Sequence, residues 1–372
     1  MRSSGQQEHV VMGDQLRRAR ETIQFRPDEV AERLNVSVEE IGNWEAGRSQ
    51  PSLRQLEMLA QLYGREIDYF LKETPEPPER LQFRSPAQRT FQELSSDARL
   101  VIARFDELCR TAFELEQLLG KGKHSILVPK VQHESPADLA RDQRRALGFD
   151  KKPVRTLREQ LSARGVRIFE LIVPPGQFSG LSYWHSQYGP CILINAKELP
   201  GRRYFTLAHE YGHLLYHHQP SVCDLTDEWR PGPSAEERSA NVFAIEFLLP
   251  AGPIREDFQR RGLSGRPTIQ DVGKMAGRWQ VSVQAMAYRL QDLGLLERAY
   301  ADELLSAYQP LPRRIRTPKT PTWERRLGKA FVSSAIEAYR EGHISLGKLA
   351  RCLGLPLRKA LETAESDKKK RH

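Results

Sequence analysis

The sequence predicts a multidomain chain, mainly α with one small β-sheet. Three observations carry this. The 372 residues exceed the usual size of a single domain. Apolar residues recur at helical spacing through most of the chain, and alternation with a period of two is confined to about residues 165–195. Two proline-rich breaks, at 73–79 and 310–321, disfavour helix and suit extended linkers. They bound an N-terminal segment, a central body and a basic C-terminal segment, and the expected domains are residues 1–72, a linker and helical connector at 73–130, a core at 131–250, a helical region at 251–309 and a basic helical region at 310–372.

Hydrophobic residues make up 39% and charged residues 28%, which supports real cores and excludes disordered and collagenous classes. No run of 18 apolar residues exists, so no membrane span is expected. The first residues lead into no apolar signal-peptide core, and Cys109, Cys191, Cys223 and Cys352 form no CxxC pair. A cytoplasmic protein is therefore expected. The net charge of +9 is unevenly placed: residues 310–372 hold 16 Lys/Arg against 6 Asp/Glu, whereas residues 1–72 hold 10 against 12. Nucleic acid is a candidate partner for the basic end.

The N-terminal region reads as four or five short helices. Arg20-Glu21 ends the first, Pro27 suits the first turn of the second, and Ser37 caps a third over 38–45. Gly47 stops that helix and Pro51-Ser52 opens the next. Two short helices joined across Leu34-Asn35-Val36-Ser37 make a helix-turn-helix. The pattern Val30-Ala31-x-x-Leu34-x-Val36-Ser37-x-x-x-Ile41-x-x-Trp44-Glu45-x-Gly47-x-x-x-Pro51 resembles the Xre/Cro-C1 family of DNA-binding domains over about residues 11–71. The resemblance makes Ser37, Glu39, Glu40, Asn43, Arg48 and Arg54 the candidate DNA contacts. Glu39 and Glu40 depart from the polar or basic residues usual there, and carboxylates repel phosphates. The turn spacing recurs at Val272 to Leu290, with two extra residues in its turn, and at Leu349-Ala350-x-x-Leu353-Gly354-Leu355-Pro356.

A helical stripe runs over about 86–120 through Leu94, Val101, Phe105, Leu108, Ala112, Leu115 and Leu119, facing a core or a second copy in a homodimer. Strands are expected at 166–172 and 191–195, with turns at Gly176, Gly180 and Gly189-Pro190.

The next helix carries Thr206-Leu207-Ala208-His209-Glu210-Tyr211-Gly212-His213. Histidines four apart lie on one helix face and reach one ion, and Glu210 beside them can hold a metal-bound water as general base. His217 continues the series but lies about 12 Å from His209 along the axis, too far for one ion to bridge with ~2.1 Å bonds. It is expected as support beside the ligands. A metzincin pattern is excluded because Tyr216 and Gln219 stand where Gly and His are needed.

A further ligand comes from the helix following Pro233-Ser234. Its core face is Ala240, Phe243, Ala244 and Phe247, and Glu237 lies on that same face, where a carboxylate needs a counter-charge such as Zn2+. Asn241, one turn later, is placed to orient a ligand histidine. Tyr183, His185 and Tyr188 are candidates for a second oxyanion donor. Together, Thr-Leu-Ala-His-Glu-x-Gly-His and Glu-x-x-Ala-Asn-x-Phe-Ala-x-x-Leu-Leu-x-Pro resemble the ImmA/IrrE family of Zn metallopeptidases over about 135–300. The resemblance implies an α+β, zincin-like core, His209, His213 and Glu237 as ligands of Zn2+, and Glu210 as catalytic base. It also implies a protein substrate, a repressor or antitoxin cleaved in a stress or mobile-element response. The alternative expectation is a DNA-binding regulator whose metallopeptidase-like body is a non-catalytic sensor.

Overall fold

A computed structural model describes residues 4–72, 93–121, 135–216, 221–223, 235–264, 266–307 and 320–369. The chain divides into two compact units, one comprising residues 1–84, 88–111 and 174–177 and the other the remainder. The described residues are mainly helical, with a single small sheet.

The first unit holds α1 (Ser4–Thr22), α2 (Pro27–Leu34), α3 (Val38–Glu45), α4 (Leu53–Tyr63), α5 (Ile67–Leu71) and the start of α6 (Ser96–Leu118). Local chemistry sets the helix ends. Pro27 occupies the first turn of α2, and Asn35 ends it in the left-handed region at φ 54°. Ser37 and Ser52 cap α3 and α4, each accepting from the backbone N–H three residues on. Val30, Leu34, Ile41, Trp44, Leu56 and Phe70 form the core. The Glu45 carboxylate, buried under that core, takes two bonds from Arg20, at 2.6 and 2.9 Å.

The second unit holds the end of α6, then α7 (Pro136–Ala146) and α8 (Leu157–Ser162), followed by β1 (Arg167–Leu171), β2 (Gly180–His185) and β3 (Gly189–Asn195). After α9 (Pro200–Tyr216) and β4 (Ser221–Cys223), helices run in series: α10 (Ala235–Leu248), α11 (Ala251–Arg260), α12 (Ile269–Trp279), α13 (Val283–Asp292) and α14 (Arg298–Ala307). The end of the chain adds α15 (Trp323–Leu327), α16 (Lys329–Arg340), α17 (Leu346–Leu353) and α18 (Leu357–Lys369). The sheet order is β1-β3-β2-β4, with β1 parallel to β3 and the other pairings antiparallel. β3 is buried at every position, as a central strand covered on both faces must be.

Two sequence expectations are corrected here. Gly180 opens β2, paired with Ile194, and Gly189-Pro190 open β3, paired with His185 and Trp184, so none of these is a turn. The α12–α13 turn carries no extra residues: Gln280 is left-handed at φ 59° and Ser282 caps α13, matching Asn35 and Ser37. Met275, not Val272, is the counterpart of Val30. In the 86–120 stripe the buried positions include Ala98, Ile102, Phe105 and Leu108, while Val101 and Leu119 are half-buried.

Alternation along β2 decides what lies on each face. Ser182 faces α9, and its neighbours Leu181 and Tyr183 face the other way. That second face is covered from the end of the chain, where Phe331 of α16 meets Phe169 of β1 edge-on at 5.2 Å. Arg158 of α8 joins the same region, donating to Glu170 at 2.8 Å and to the carbonyls of Arg325 and Arg326.

Candidate metal centre

α9 and α10 pack against each other and bring three ligating groups together. His209, His213 and Glu237 are all buried, and one ligand atom from each lies within 4.8 Å of the others. His209 Nε2 is 3.2 Å from one Glu237 carboxylate oxygen, and His213 Nε2 is 2.8 Å from the other. The two Nε2 atoms are 3.0 Å apart. Burial pushes the Glu237 carboxyl up, but the bonds from His209 and His213 outweigh it and hold the group at about 2. A tetrahedron with ~2.1 Å bonds has edges of about 3.4 Å, so these spacings fit one small divalent ion held by two imidazoles and a carboxylate.

The close packing of α9 and α10 depends on Gly212. A Cβ there would lie 3.0 Å from Phe243 Cδ1 and 3.5 Å from the Ala240 Cα. Beside it, the Tyr211 ring packs on Phe243 and Phe247, its hydroxyl donates to Gln143 at 2.5 Å, and burial pushes its pKa up. The end of α10 is clamped by buried arginines: Arg144 donates to Phe247 O, and Arg289 donates to Leu249 O at 2.8 Å and pairs with Glu246.

Glu210 is fully buried, and the Ser182 hydroxyl donates to its Oε2 at 2.6 Å. Gly180 makes this approach possible, because a Cβ there would stand 2.9 Å from Glu210 Oε1 and collide with Thr206. Neither residue is singled out by the sequence for this purpose. The usable signal was the small-residue pattern Gly180-x-Ser182, which on a strand points one face of two small residues at a neighbour.

The remaining candidates fall as follows. Asn241 is buried one turn after Glu237, but His209 Nδ1 has no hydrogen-bond partner among the described residues, so the Asn241 amide does not orient that ring. His217 lies outside the described residues. Tyr183 and His185 lie on the β2 face opposite Ser182, and His185 stacks on Tyr188 at 3.4 Å, so these three face away from Glu210.

In the helix-turn-helix, Glu40 folds back onto Ser37, accepting from its backbone N–H at 2.9 Å and its hydroxyl at 3.1 Å. Asn43 accepts from Arg48 Nε at 2.7 Å, which ties α3 to the following loop. Glu39 and Arg54 are exposed. Glu40 thus completes the cap of α3.

Comparison with known proteins agrees with both units. Residues 11–68 match a helix-turn-helix domain and residues 161–291 match the IrrE N-terminal-like domain of a peptidase family. The radiation response metalloprotease IrrE of Deinococcus radiodurans is 35% identical over 105 residues, covering 27% of this chain and 30% of that protein. Its namesake in Deinococcus deserti is 37% identical over 105 residues, covering 27% of this chain and 36% of that protein. The chain therefore spans about a third of the length of these curated relatives. Residues 161–291 thus resemble the IrrE N-terminal-like peptidase domain, and a region that matches a helix-turn-helix domain precedes them.

Proposed function

We propose that the chain is a Zn2+-dependent endopeptidase and transcription regulator that cleaves a protein substrate, a repressor or antitoxin, in a stress response. The observation that carries this is the buried His209, His213 and Glu237 cluster with Glu210 beside it, locked by Ser182. The relatives' name, radiation response metalloprotease, supports the stress setting.

A Zn2+ ion held by those three side chains would polarise a scissile carbonyl and make bound water more acidic. Glu210 takes the proton from the attacking water and passes it to the leaving amine. Ser182, by fixing one carboxylate oxygen, holds Glu210 in the orientation that transfer needs. Asn241, buried one turn after Glu237 in α10, supports the ligand cluster from that helix. In the N-terminal domain, exposed Arg54 and the loop residue Arg48 supply phosphate contacts to DNA.

The test uses the purified chain with Zn2+ and candidate repressors, with fragments mapped by mass spectrometry. Glu210→Gln keeps the side chain's shape and removes its basicity. Metal content should stay near that of the parent, while cleavage falls by roughly the 10²–10⁴-fold that a positioned proton-transfer group contributes. Retained metal, no fragments from the parent and normal regulation by the variant would instead assign the body a sensing role.

A further inference from the structure

The C-terminal helices α17 and α18 repeat the DNA-binding motif of the N-terminal unit with the charge of its reading helix reversed. Leu349, Ala350, Leu353, Leu355 and Ala360 stand where Val30, Ala31, Leu34, Val36 and Ile41 stand in α2–α3. The first helix has eight residues in both. It ends on a left-handed residue in both, Asn35 at φ 54° and Gly354 at φ 63°. The next residue closes the same hydrogen bond, Val36 N–H to Ala31 O at 3.0 Å and Leu355 N–H to Ala350 O at 2.9 Å. The inward positions Val30, Ala31, Leu34 and Ile41 are buried, and so are Leu349, Ala350, Leu353 and Ala360.

The turn alone does not make a reader of DNA. It also joins α12 to α13 and α4 to α5, with the equivalent bonds Val281 N–H to Ala276 O and Arg65 N–H to Ala60 O. What differs is the helix that follows. α5 has only five residues, and the first turn of α13 presents Val283, Gln284 and a buried Ala285. α18 runs for 13 residues, and its first turn presents Leu357, Arg358 and Lys359, all exposed. The Arg358 side chain is 91% exposed, and its pairing with Glu362 at 3.0 Å is a surface contact that a phosphate can displace. These positions correspond to Glu39 and Glu40 of α3. The N-terminal turn of a recognition helix is the part that enters the major groove, and the acidic residues Glu362, Glu365 and Asp367 lie further along.

We infer that α17–α18 is a second helix-turn-helix, and that Arg358 and Lys359 at the start of α18 bind the backbone and base edges of duplex DNA. Exposed Leu357 beside them matches the apolar contact a thymine methyl accepts. This site is independent of the peptidase chemistry and adds to the DNA contacts proposed for Arg48 and Arg54 of the N-terminal domain.

The test is duplex DNA binding by the full chain, measured by fluorescence anisotropy on a random-sequence duplex across a salt series. R358A/K359A should bind at least about tenfold more weakly, with a log–log salt slope shallower by about 1.8 for two lost phosphate contacts. Both positions are exposed, and an unchanged melting temperature shows that the variant is folded. R48A/R54A, tested in parallel, probes the N-terminal domain alone. The inference is overturned if R358A/K359A matches the parent in affinity and slope, whether or not R48A/R54A loses binding. It is also overturned if the parent binds no duplex DNA at low salt, or if it binds single-stranded RNA in preference.

Discussion

Gly180 and Glu237 show how much of the centre rests on single residues. At position 180 any side chain meets Thr206 and Glu210 at once, and the backbone of β2 cannot retreat without leaving its ladder with β3. Gly180→Ala should therefore destabilise the second unit by about 1–3 kcal/mol, the usual cost of overpacking, and should reduce cleavage by displacing Glu210. Thermal unfolding and fragment yield on the same preparation measure the two effects. Glu237→Ala removes one of three donor groups. Its Zn2+ affinity should fall by more than the roughly 10–100-fold that changing a supporting residue costs. Competition with a chromogenic chelator reads this directly, and a variant with parental affinity would remove Glu237 from the ligand set.

At the scale of elements, the N-terminal domain is held by helix ends and one buried ion pair. Glu45 closes α3 and takes both Arg20 bonds, and the two side chains are only 8% and 11% exposed. Glu45→Ala leaves the Arg20 charge without its carboxylate, and breaking such a pair costs about 3–5 kcal/mol. The variant should unfold the helix-turn-helix unit at lower denaturant while the metal centre keeps its ion. Calorimetric unfolding, read beside metal content, would show it. The pair also explains the Trp44-Glu45-x-Gly47 pattern in physical terms. Trp44 fills the core, Glu45 holds α1, and the backbone of both residues lies against Gly13, where a Cβ would stand 2.6 Å from the Trp44 carbonyl oxygen.

For the whole molecule, the last helices are structural partners of the sheet. Phe331 lies against Phe169, and Arg158 bridges β1 and α15 through Glu170 and two carbonyls. Truncation before residue 320 should uncover the β1 face, lower the melting temperature of the second unit and weaken the metal centre along with any DNA binding. For that reason surface substitutions at Arg358 and Lys359 separate the roles more cleanly than a deletion. Chelation should have the opposite selectivity. An ion that binds only the folded centre stabilises that unit by mass action, so removing it should lower the second unit's melting transition and leave the first in place. Two resolved calorimetric transitions, one shifting with chelator, are the expected outcome.

The sequence by itself determined the helix-turn-helix and the one-turn spacing of His209 and His213, because both are local. Capping serines, a left-handed Asn35 and histidines one helical turn apart are set by spacings of three and four residues. It also placed Glu237 on the inward face of its helix, where the structure buries it, since a carboxylate on an apolar helix face calls for a buried counter-charge. Strand β2 escaped notice because its glycine and serine resemble a loop until β3 supplies their hydrogen bonds. Only the tertiary structure decided that Ser182 holds Glu210, that Tyr183 and His185 face the other way, and that α15 and α16 cover the sheet. Those facts depend on which residues far apart in sequence share a sheet face, and strand pairing and helix packing fix that where local periodicity cannot.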